Sequence, residues 1–261
     1  MKLKTAALAS LLMMASLVRA EEAEQWEWTV APYLWGSDVV LDLSVQDGDG
    51  IGGEAEFSDL LDKLDAAFMG RVEGRRDRWG MYLDTIYIDL SDSKSTSVGP
   101  GGPLPAVVDT DASLTLKLWE GGAIYQLSAP DAAVRFDLLA GLRNVDLDVQ
   151  ATVMPPGPMM TPLNIKTGPS ETDVMIGGRA YGEFTPRWHW TLRGDYSFGG
   201  SEGIYNGQAS VGYTFGQSGL FSLDVGYRYL RMDLKGSTPM GEQTEVEIEM
   251  SGPLVGFIFK F

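Results

Sequence analysis

One histidine, no cysteine and a recurrent interleaving of arginine with carboxylates are what this chain offers for chemistry. His189 alone does not make a catalytic centre, because imidazole chemistry needs an acid or a nucleophile placed beside it. It stands between Trp188 and Trp190 and reads as an interface residue, so no catalytic residue is expected. Asp84, Asp137 and Glu183 could pair as carboxylates, but ion pairs with arginine explain them more simply. Asp47-Gly48-Asp49-Gly50 matches part of a calcium loop and lacks its third ligand and its terminal Glu spacing. Asp47 and Asp49 are therefore weak candidates for a divalent cation inside a solvated acidic segment. Met154-Pro155-Pro156-Gly157-Pro158-Met159-Met160 reads as Pro-rich loop chemistry in preference to a soft-metal site. No cofactor is expected.

The charges that remain fall at alternating positions. Arg71, Glu73 and Arg75 share one parity; Arg179 and Glu183, Arg193 and Asp195, and Asp224 and Arg228 do the same in later segments, and Asp84 joins them. Glu27, Arg135, Asp137, Arg143 and Lys260 are further candidates. Alternation of this kind places side chains on one face of a β-strand. On the opposite parity lie apolar and aromatic residues, such as Trp188, Trp190, Leu192, Tyr196 and Phe198, or Phe221, Leu223, Val225, Tyr227 and Tyr229. If the sheet closes, the charged face lines a lumen, where charges must be paired or solvated. Bracing of a closed interior is favoured over a conducting pore by the small size of such a barrel.

Period-2 alternation predicts about ten strands, near 26–45, 66–76, 79–90, 111–127, 133–150, 172–184, 188–198, 204–215, 220–234 and 244–261. Eight or twelve strands are also compatible with the pattern. Long and short connections alternate, the rhythm of an up-and-down transmembrane barrel. The long segments 91–110, 152–170 and 236–243 read as loops that could form a contact surface. Residues 54–65 leave the alternation: Phe57, Leu60, Leu61 and Leu64 follow helical spacing, and Ser58 or Asp59 could cap. This short helix, near 57–65, either plugs or lids the barrel or is a plain surface turn. Two strands change parity, the third after Thr85 and the fifth after Leu142. A bulge would explain each, and so would a change of environment above a membrane.

Position in the cell is read from both ends. Met1-Lys2-Leu3-Lys4 is basic, 6–18 are apolar but too short to span a bilayer, and Val18-Arg19-Ala20 fits a cleavage site. A leader over 1–20, cleaved after Ala20, and one barrel domain over 21–261 are expected. Without cysteines an exported chain has no disulfide staples. A net charge of −16 speaks against nucleic acid and is compatible with divalent cations. At the other end Phe257, Phe259 and Phe261 share one strand face, an aggregation hazard in a soluble domain. The ending resembles the last strand of bacterial outer-membrane barrels, whose final Phe is read by the barrel-assembly machinery. Membrane lipid and that machinery are the partners this implies.

Trp26-Glu27-Trp28 through Pro32-Tyr33-Leu34-Trp35-Gly36 resembles the first strand of a family of uncharacterised proteobacterial outer-membrane barrel proteins. So do Phe57-Ser58-Asp59-Leu60-Leu61-Asp62-Lys63-Leu64-Asp65, then Phe68-Met69-Gly70, and Arg78-Trp79-Gly80 leading to Tyr87-Ile88-Asp89-Leu90. The resemblance implies a membrane barrel and lends no activity. The reading is an all-β antiparallel barrel with a structural or narrow-channel role. A surface-binding protein is the alternative, and a barrel enzyme acting on lipid stands third.

Overall fold

The computed structural model describes residues 25–45, 51–98, 106–154, 163–237 and 243–261. The expected leader and the Asp47–Asp49 segment lie outside the described residues. Among the described residues there are thirteen strands: β1 (Glu27–Trp35), β2 (Asp38–Val45), β3 (Ile51–Ala55), β4 (Leu64–Arg76), β5 (Trp79–Val98), β6 (Ala106–Gln126), β7 (Val134–Met154), β8 (Leu163–Thr167), β9 (Ser170–Glu183), β10 (Trp188–Phe198), β11 (Gly203–Phe215), β12 (Phe221–Ser237) and β13 (Gln243–Lys260). A short helix, α1, spans Phe57–Leu61.

Ten of the strands close a barrel in the order β1-β4-β5-β6-β7-β9-β10-β11-β12-β13, and β13 pairs back onto β1. Every pairing is antiparallel. At the seam the Trp28 and Phe261 backbones bond each other reciprocally, at 3.2 and 2.8 Å, so both described ends lie at one rim. Closure leaves no free edge around the waist, which removes the hazard of the apolar last strand. The expected first strand is split: Gly36 and Ser37 separate β1 from β2, and both halves pair with β13.

Away from the terminal rim the strands run longer than their hydrophobic pattern suggests. Ser91–Val98 pairs with Ala106–Ser113, so much of the segment 91–110 is a hairpin and not a loop. β3 and β8 add short strands to β2 and β7, inside segments read as connections. Ser91–Val98 is rich in Ser and Thr and β3 in Gly, so no apolar alternation marks them as strands, and β8 is only five residues long.

The two parity changes are not bulges. β5 pairs with β6, and β6 with β7, through consecutive registers without a shift. Side-chain direction is unbroken, and only the chemistry inverts. In the lower part of β7 Phe136, Leu138 and Leu142 point outward and are exposed, while Asp137 and Arg143 are buried inside. Higher up, Val145 and Leu147 point inward and are buried. β5 repeats this, with Asp84 inside below and Ile86 inside above, and β12 does so with Arg228 below and Leu230, Met232 and Leu234 above. The lower barrel is thus apolar outside and charged inside, and the upper barrel is the reverse. The irregularity in the β4–β5 pairing lies between Leu64 and Ala66, beside α1.

Candidate functional site

The charged interior is built by register. Arg71 stands opposite Asp84, Asp84 opposite Glu120, Glu120 opposite Arg143, and Arg143 opposite Asp173. One inward row across five strands therefore carries both signs, with the adjacent carboxylates Asp84 and Glu120 flanked by Arg71 and Arg143. Arg143 is fully buried. It bonds Glu120 from Nη2 at 2.5 Å and also reaches Asp195. Arg193 completes a neutral quartet, with Nη2 on Glu120 at 2.5 Å and Nε on Asp195 at 2.7 Å.

A second neutral quartet lies closer to the terminal rim. Arg179 donates to Glu73 at 2.8 Å and to Asp137 at 2.9 Å. Arg75 donates to Glu73 at 2.6 Å and to Asp137 at 2.5 Å. Arg71 joins the quartets, 3.2 Å from Glu73, 3.5 Å from Asp84 and 3.9 Å from Glu120. Arg135 lies 3.4 Å from Asp137 and covers the Tyr181 ring. On the seam side, Tyr33 donates to Asp84 at 2.7 Å, and Arg228 donates to Asn206 at 2.9 Å and to Tyr33 at 3.2 Å. The guanidiniums of both quartets, of Arg71 and of Arg135 thus find carboxylates, as desolvated charges must, whereas that of Arg228 bonds the neutral Asn206 and Tyr33.

Of the residues singled out in sequence, Arg71, Glu73, Arg75, Asp84, Arg179, Arg193, Asp195 and Arg228 meet in this network. Glu183 does not; it is exposed at the rim and accepts from Tyr181 at 3.2 Å. Asp224 pairs instead with His189, whose Nε2 is 2.9 Å away. His189 is not an interface residue between tryptophans. Trp188 faces outward and is exposed, whereas His189 alternates inward and is buried. Gly212 lies across from both His189 and Asp224 in the ladders, and a Cβ there would come within 2.2 Å of each side chain. The glycine opens the space in which β10 and β12 are tied together across β11.

Glu120 and Asp173 are the members that sequence reading missed. Glu120 precedes Gly121-Gly122, and no charged alternation flags it. Asp173 accepts from the Gly200 and Ser201 backbone amides, at 2.8 and 2.9 Å, and so folds the 199–203 loop over the network. Below the quartets a polar vestibule of about 560 Å³ opens toward the terminal rim, lined by Glu27, Arg71, His189, Lys260 and others.

Above them lies an apolar cup of about 320 Å³, walled by Trp35, Met69, Ile88, Leu114, Leu116, Leu147, Ile248 and Met250. The helix predicted from Phe57, Leu60, Leu61 and Leu64 covers this cup and not the charged lumen. It is shorter than expected, and neither Ser58 nor Asp59 caps it; Glu56 is the N-cap residue, without a side-chain bond. Phe257, Phe259 and Phe261 all face outward and are exposed. Among the described residues no group of three or more histidine, aspartate or glutamate side chains is arranged to hold a metal ion.

No protein-family model matches the chain, and no curated protein does. Among solved structures, the outer membrane protease OmpT from Escherichia coli is similar at 8% identity, with 93% of this chain and 99% of that one covered and a TM-score of 0.47. The translocator domain of the autotransporter NalP from Neisseria meningitidis matches at 11% identity, 99% and 98% coverage and a TM-score of 0.39. The outer membrane protein OprG from Pseudomonas aeruginosa matches at 12% identity, 90% and 95% coverage and a TM-score of 0.33. The strand pairing itself gives this chain a closed antiparallel β-barrel of ten strands.

Proposed function

We propose that this chain is a bacterial outer-membrane barrel whose lumen is sealed, with a structural and non-conducting role. Exported behind a leader that is removed, it reaches the membrane through the assembly machinery and meets lipid along its lower outer face. That face supports the reading: Leu34, Phe68, Leu83, Phe136, Val174, Leu192 and Val225 are all exposed there. Soluble monomers rarely display so continuous an apolar surface. Trp79, Trp188, Phe198, Tyr205 and Phe215 lie toward strand ends, where aromatic girdles form. The terminal rim is then periplasmic, and the extended hairpins project outside the cell.

The observation that carries the sealed reading is the burial of Glu120 and Arg143, both at 0% exposure, in the middle of the lumen. An aqueous channel would wet them. The proposed role is non-catalytic, with the His189–Asp224 pair read as a tie between β10 and β12 across β11. Protein refolded into planar bilayers, after a check of heat-modifiable gel mobility, is expected to show no steady conductance. A stable single-channel step would overturn the sealed reading. The extension of β5 and β6 far beyond the apolar belt favours a second reading, an outer surface that binds a partner.

A further inference from the structure

We infer that the apolar cup on the outer side is a binding site for a small, uncharged, mostly apolar molecule carrying one hydrogen-bond acceptor. The inference goes beyond the sealed-barrel reading and does not depend on it.

The walls of the cup are aliphatic and aromatic, with Ser37 the one hydroxyl among them. Its volume of about 320 Å³ is within the range of ligand sites and equals about ten waters of liquid. Water gains little in such a space, because it finds too few polar partners there. Trp35 forms part of the wall, and its indole Nε1 is buried without a hydrogen-bond partner, although the residue is only 4% exposed. A buried unpaired donor is costly, and an acceptor in the cup would satisfy it once a small turn of the indole brings Nε1 to the wall. Beneath, the guanidinium of Arg228 lies 5.1 Å from the Trp35 ring centroid and fixes the indole over the charged network.

The lid is built to let such a molecule in. α1 buries none of its own residues, and Phe57 and Leu61 remain 38% and 50% exposed while lining the cup. It is held by polar contacts at its flanks: the Phe57 amide on Asp38 at 2.9 Å, and Lys63 on Asp92 at 3.2 Å. Both can be broken and remade in water at small cost. Charge selects against anions. The lid and its anchor carry Asp38, Glu56, Asp59, Asp62 and Asp65 against Lys63 alone.

The test uses the full protein in lipid nanodiscs, with empty nanodiscs as the blank for partitioning. Ethyl benzoate, butylbenzene and benzoate are the probes, followed by equilibrium dialysis. Saturable binding of ethyl benzoate above the blank is expected, with butylbenzene weaker and benzoate absent. Trp35→Phe should weaken ethyl benzoate roughly fivefold, the worth of one neutral hydrogen bond, and leave butylbenzene unchanged. Ala67→Trp, which fills the cup from its wall, should abolish both, and Leu60→Trp on the exposed lid does the same if the first variant fails to fold. Three results would each overturn the inference. They are no binding above the blank, binding that survives both filling variants, and equal affinity of wild type and Trp35→Phe for ethyl benzoate, which would mark a plain slot for lipid chains.

Discussion

Arg143 concentrates the logic of the interior in one side chain. It is held by two carboxylates, Glu120 and Asp195, in a space without solvent. Replacing it by Met removes one of the two guanidiniums that Glu120 and Asp195 share, and leaves these two carboxylates with Arg193 alone between them. Arg143→Met should cost about 3–5 kcal/mol, the usual penalty for breaking a buried pair from one side. The double variant Arg143→Met with Glu120→Gln restores neutrality of the quartet and should recover most of that loss. Urea unfolding from lipid vesicles, followed by tryptophan fluorescence, measures both. Equal destabilisation of the single and double variants would mean that packing and not charge balance holds the site. The signs and parity of most of these residues are legible in the sequence, because alternation dictates which side chains share a face. Their pairing is not, since Arg179 meets Glu73 across 106 residues of chain through barrel closure. Glu120 escaped notice because its neighbours are glycines that show no face at all.

At the scale of the strand, the legible and the hidden differ by environment. The ten barrel strands stand out in sequence wherever their outer face is apolar, and their ends fade wherever that contrast between the faces is lost. The apparent parity slips of β5 and β7 are the trace of a boundary: below it the apolar residues point out, above it they point in. β7 offers a direct check. Leu138, outward in the belt and 41% exposed, should tolerate Lys poorly, losing about 2–4 kcal/mol if it faces the bilayer interior. Gln150, outward on the same strand beyond the boundary, should accept Lys within about 0.5 kcal/mol. The same vesicle unfolding experiment compares them. Similar costs at the two positions would place the boundary elsewhere or remove the membrane from the outer face. The position of α1 was half legible: its apolar spacing marks a covering helix, but what it covers depends on the inversion that makes the upper lumen apolar.

Taken as a whole, the molecule closes its lumen twice, by opposite chemistries. The charged quartets fill the lower lumen, and directly above them Ile86, Leu118, Val145, Ile204, Leu230 and Met232 form a continuous buried cluster. On the sealed reading the upper layer turns ions back, because an apolar constriction offers them no replacement for water. The lower layer has a different duty: it ties strands that are distant in sequence, so that a barrel without disulfides keeps its shape. Removing one layer should therefore leave the barrier to ions intact. The neutral fourfold variant Glu120→Ala, Arg143→Ala, Arg193→Ala and Asp195→Ala deletes the central quartet without stranding a charge inside it. It should unfold at lower urea than wild type and still be silent in planar bilayers, provided that heat-modifiable mobility shows a folded barrel. Steady conductance from that variant would mean that the quartet alone is the gate and that the apolar layer above it is open to water.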